Sequence, residues 1–123
     1  MANRDDQIAA WRERFQDALR AWMEPRGKRT EVARRTGYSP SHITKVLKPG
    51  ADGAGPEFCA RIQEHYPEWR PAWHEYLAIR SGDVEAAETQ RECAERIARI
   101  KEIEKELVER IREVCRLARQ HYE

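Results

Sequence analysis

Apolar positions recur along most of this chain at gaps of three and four, which is the period of a helix with one buried face. Ile8, Trp11, Phe15, Ala18, Leu19 and Trp22 form the first stripe, and Pro25 and Gly27 end it. A second short helix fits residues 29–36, with Val32 and Ala33 inward and Gly37 at its end. Ser39-Pro40 opens a third helix: a serine can accept from the free N–H groups, and proline suits the first helical position. Ile43, Val46 and Leu47 supply its buried side. No stretch alternates with the period of a strand.

Pro49 to Gly55 reads as a loop, because glycine and proline dominate it. Pro56 starts a fourth helix with Phe58, Cys59 and Ile62 inward, ended by Pro67, and a fifth follows over 68–80 with Trp69, Trp73, Tyr76 and Leu77 at helical spacing. Residues 8–80 therefore read as a five-helix domain around an aromatic core. Four tryptophans at helical spacing belong to such a core rather than to a base-stacking platform.

Gly82 and Asp83 mark a boundary, as a helix end followed by a helix cap. Residues 83–121 then hold neither glycine nor proline, so one long helix is expected, roughly 55 Å at 1.5 Å per residue. Its stripe can be written as a heptad, with Gln90, Ile97, Glu104, Ile111 and Ala118 at a and Cys93, Ile100, Leu107, Val114 and His121 at d. Ile103, Val108, Cys115 and Leu117 widen it. A lone helix cannot hide that stripe, so Ile97, Ile100, Leu107, Ile111 and Val114 are expected to hold copies of the chain together. A homodimer is the expected assembly, with a tetramer or packing back on the domain as alternatives. Glu104 in the seam is expected to set register or orientation.

Charge changes the picture in one place. The whole chain carries only +1, but residues 26–50 hold Arg26, Lys28, Arg29, Arg34, Arg35, Lys45 and Lys48 against Glu31 alone. A net +6 over 25 residues is the distribution that a phosphate-contacting surface requires. Cys59, Cys93 and Cys115 are odd in number and widely spaced, which fits neither a disulfide framework nor a zinc site. The residues around Met1-Ala2-Asn3 lack the layout of a signal peptide, and no apolar run is long enough to span a membrane, so a cytoplasmic location is expected. No phosphate loop, metal motif or nucleophile–base pair supports an enzyme, and no cofactor or small-molecule ligand is implied.

The segment V-A-R-R-T-G-Y-S-P-S-H-I-T-K-V-L resembles the helix-turn-helix of the phage Cro and repressor family, the XRE-type transcription regulators. Ala33 is small where two helices would cross, and Gly37 tolerates positive φ in the turn. The resemblance covers about residues 10–78 and implies a lambda-repressor-like domain; the long C-terminal helix is not a standard part of that fold. It also implies that bases of double-stranded DNA are read by the first turns of the third helix, at Ser39, Pro40, Ser41, Thr44 and Lys45, and that phosphates are held from the start of the second, at Arg29 and Thr30. The polar face of the third helix adds Lys48 as a candidate base reader, and the basic cluster adds Lys28, Arg34 and Arg35 as candidate phosphate contacts. Pro40 and Arg29 depart from the family's usual polar residue and glutamine, which leaves the target sequence open. The function expected is an operator-binding repressor. Two other classes combine similar parts: small terminase subunits of phages, and antitoxins whose long helix binds a toxin.

Overall fold

The structure, a computed structural model, describes residues 3–50 and 53–122. Met1 and Ala2 of the expected non-signal N-terminus, and Ala51 and Asp52 of the expected loop, lie outside the described residues. Among the described residues there are six α-helices and no strand: α1 (Arg4–Trp22), α2 (Lys28–Thr36), α3 (Pro40–Val46), α4 (Pro56–His65), α5 (Arg70–Ser81) and α6 (Val84–Tyr122). A single 3-10 turn, Pro67–Trp69, leads into α5.

The helix ends follow from local chemistry. The Asn3 side chain accepts from the Asp6 N–H at 2.8 Å and starts α1. Gly37 ends α2 at φ 83°, a conformation that costs side-chain-bearing residues about 1–2 kcal/mol. Asp83 caps α6 through its carboxylate and the Ala86 N–H, 3.0 Å apart. No helix is long and apolar enough to cross a membrane among the described residues.

Trp11, Leu19, Met23, Val32, Ile43, Cys59 and Ile62 are almost wholly sealed from solvent and form the centre of one core. Aromatic rings close one side of it. Trp11 stacks on Phe15 at 5.3 Å between centroids, and Phe15 and Trp22 each meet Trp69 edge-on. The indole N–H of Trp11 donates to the Ala72 carbonyl at 2.9 Å, which ties α1 to α5.

Two details differ from the sequence reading. Leu77, read as part of the fifth helix's inward stripe, is exposed, because α5 instead turns Pro71, Glu75, Ala78 and Ile79 inward. Glu75 can occupy that position because Arg14 donates to both of its carboxylate oxygens, at 3.1 and 2.9 Å. The second difference concerns α6, whose first turns lie against α5 and the 3-10 turn. Its half-buried positions are Ala86, Ala87, Gln90, Ala94 and Ile97, and the Lys101 ammonium continues the line to Glu68 at 3.6 Å. Beyond Lys101 every described residue of α6 up to His121 is exposed.

Candidate nucleic-acid interface

Helices α2 and α3 meet through a turn built on Gly37. The turn is held from three sides: Gly37 N–H donates to the Ala33 carbonyl, the Thr36 hydroxyl donates to the Val32 carbonyl at 2.6 Å, and Arg61 Nε on α4 donates to the Thr36 carbonyl at 3.0 Å. Tyr38 stacks on Phe58 at 5.3 Å, which fixes the entry to α3 against α4. Ser39 then caps α3, its hydroxyl accepting from the His42 N–H at 3.1 Å, with Pro40 in the first turn.

With Ile43 and Val46 buried, the other side of this short helix is left to solvent. Ser39, Ser41, Thr44, Lys45 and Lys48 are all exposed. The Ser39 and Ser41 hydroxyl oxygens lie 3.2 Å apart. Thr44 donates its hydroxyl proton to the Pro40 carbonyl at 3.1 Å, which leaves the hydroxyl oxygen able to accept. Among the described residues the Lys45 and Lys48 ammonium groups make no ion pair.

The five expected phosphate contacts divide into two groups. Arg29, Thr30 and Arg34 are exposed and, among the described residues, without an ion pair. Lys28 and Arg35 are engaged within the domain. Lys28 sits 4.3 Å from the Trp22 ring centroid and 3.1 Å from a Glu31 carboxylate oxygen. Its hydrogen bond and charge hold the Glu31 carboxyl below its ordinary value. The Arg35 guanidinium lies over the Tyr66 ring at 4.4 Å and donates to the His65 carbonyl at 2.8 Å, satisfying the end of α4. Burial raises the Tyr66 hydroxyl above its usual pKa. Both cations are therefore placed to pack helices together, in addition to their charge.

Three residues that support this surface carried no local signal in the sequence. Arg61 reaches the α2 terminus from α4. Gln16 donates to the Gly50 and Ala54 carbonyls, at 3.1 and 3.0 Å, and Arg12 donates to the Gly53 carbonyl at 2.9 Å. Through these bonds α1 holds the segment that follows α3. A Cβ at Gly53 would lie 2.6 Å from the Lys48 carbonyl oxygen, so this close approach admits glycine alone without a shift. Each bond spans more than twenty residues of chain, a relation that helical periodicity does not encode.

The expected assembly residues also divide. Ile97 is half-buried on the stripe that faces the domain, while Ile100, Leu107, Ile111 and Val114 are exposed on the free part of α6. The described residues contain no group of His, Cys, Asp and Glu that could hold a metal ion. Comparison with protein-family models, with curated proteins and with solved structures gives no match.

Proposed function

We propose that this chain is a sequence-specific double-stranded-DNA-binding regulator of transcription, a repressor that binds a palindromic operator as a homo-oligomer. In this reading α2 and α3 act as a helix-turn-helix, with α3 in the major groove. The observation that carries it is the two-sidedness of α3: Ile43 and Val46 are buried, while Ser41, Thr44 and Lys45 are exposed, with exposed Lys48 just beyond the helix end. Their hydroxyl and ammonium groups can read base edges, with lysine suited to guanine O6 and N7. Arg29 and Arg34, exposed on α2, supply unpaired charge for phosphates, whose neutralisation releases counterions. The small net charge of the whole chain, +1, does not oppose this, because the excess lies in one segment.

The test is selection from random duplexes by the purified full chain, with oligomer mass measured in the same buffer. Enrichment of an inverted repeat is the expected result. Lys45→Ala should relax preference at one position of each half-site, at a cost of about 1–3 kcal/mol there. Arg34→Ala should weaken all duplexes alike and lower the salt slope by about one. No enriched sequence, or a ring of many subunits that binds duplex indifferently, would replace the regulator with an assembly role.

A further inference from the structure

The free part of α6 carries a second pattern that the domain does not use. Ile100, Leu107, Ile111 and Val114 are 54%, 53%, 63% and 65% exposed, and Ile103, Val108 and Leu117 lie beside them. Charge along the same arm is segregated. Residues 102–109 hold four glutamates and one lysine, net −3, and residues 110–121 hold four arginines and one glutamate, net +3. An arm that is acidic near the domain and basic at its tip complements its own reverse.

We propose that residues 100–118 of α6 pair with the same segment of a second copy in the antiparallel direction, with the two-fold axis near Glu109. In that register a positions stack on d positions of the opposite strand. Ile111 faces the partner's Leu107, Ala118 faces the partner's Ile100, and Glu104 faces the partner's Val114. Ile103 lies alongside the partner's Leu117, and the two copies of Val108 flank the axis. Apart from Val114, which meets Glu104, the large apolar side chains exposed in the single chain thus find apolar neighbours. Like charges approach closely only at the axis, where Arg110 nears its own copy.

The parallel arrangement fails on two counts. It would stack Glu104 on the partner's Glu104 inside the seam, adding the repulsion of two like charges to the cost of covering each carboxylate. It would also align acidic half with acidic half and basic half with basic half, which opposes association at low salt. Antiparallel pairing moves the two Glu104 residues about 15 Å apart along the axis, at 1.5 Å per residue. The paired segment cannot start earlier than about Ile100, because Ile97 is the last half-buried position on the stripe that faces the rest of the chain. This inference is independent of the DNA-binding reading and is tested without DNA.

The experiment places one nitroxide at Arg119→Cys in the full chain, with Cys93→Ala and Cys115→Ala removing the exposed thiols, and reads the spin–spin distance by pulsed dipolar resonance. Light scattering supplies the mass. A dimer with a distance of about 30 Å is expected, since each label lies opposite position 99 of the other copy. A distance under about 20 Å would mean parallel pairing, and a monomer or a larger oligomer would equally overturn the proposal. Ile111→Glu provides the second arm: the mass should halve while tryptophan fluorescence of the domain stays unchanged. A dimer that survives this substitution removes Ile111 from the interface and the register with it.

Discussion

The domain formed by α1–α5 and the outer arm of α6 both carry apolar stripes at helical spacing, yet the two stripes meet different fates. In the domain, Trp11, Leu19, Val32, Ile43 and Ile62 are closed off by side chains from several helices. In the arm, residues of the same hydrophobicity stay in water. The proximal turns of α6 show where one regime passes into the other. Ala87, Ala94 and Ile97 are partly covered by the domain, and Lys101 pairs with Glu68 at its edge. Past that point, among the described residues up to His121, no other part of the chain covers the helix. A stripe therefore states that a face must be covered, and the surroundings state by what.

That contrast can be broken most forcefully in the core. Trp11→Ala removes a ring sealed between Phe15 and Tyr76 together with its hydrogen bond to Ala72. It should cost about 3–5 kcal/mol, read as a fall in the urea midpoint by near-ultraviolet circular dichroism. Leu107→Ala is the matched change in the arm. It should leave that midpoint in place and raise the dissociation constant of the dimer. A core-sized loss of domain stability from Leu107→Ala would show that the two regions are not separate.

A smaller effect is expected from Arg14→Met. It strands the Glu75 carboxylate, whose side chain is only 5% exposed, while Arg14 itself is 43% exposed. Leaving a buried acceptor without its donor should cost about 1–3 kcal/mol by urea unfolding, discounted because solvent reaches the arginine side. The double variant with Glu75→Met should recover part of that loss; no recovery would mean that Arg14 acts through packing alone.

The arm's own electrostatics should matter less. Arg116 hydrogen-bonds the Glu113 carboxyl and holds it below its ordinary pKa. A lowered folded-state value means that this pair supports the helix above the ordinary carboxylate range. The support is lost as pH falls through the depressed pKa. Far-ultraviolet ellipticity of Glu113→Gln should therefore sit slightly below that of the parent at neutral pH and match it in acid. A difference that persists in acid would assign the effect to side-chain propensity instead.

Thiol reactivity sharpens the comparison with no change in stability. Burial pushes the Cys59 thiol well above its ordinary pKa, and a protonated, sealed thiol is inert. An alkylating reagent should modify exposed Cys93 at once and Cys59 only after denaturant is added. Labelling of Cys59 in the native protein would show that α4 opens from the core.

Local chemistry in the sequence determined where the helices run. Glycine and proline mark the ends of α2 and α4, capping residues mark the starts of α3 and α6, and the three-and-four spacing identifies Val32, Ile43, Phe58 and Ile62 as core, because these signals act within a few residues. The exposed polar side of α3 was legible for the same reason: a short helix with Ile43 and Val46 inward must turn Ser41, Thr44 and Lys45 outward. Tertiary structure decided which of the clustered cations are committed. Arg34 and Arg35 are neighbours in sequence, but only Arg35 meets Tyr66 and the His65 carbonyl, thirty residues away in the chain. It likewise decided that Glu75 rather than Leu77 faces inward, through an arginine sixty-one residues distant, and that α6 is covered as far as Lys101 and no further. Periodicity specifies that a face is apolar. Only the arrangement of the whole chain specifies what lies against it.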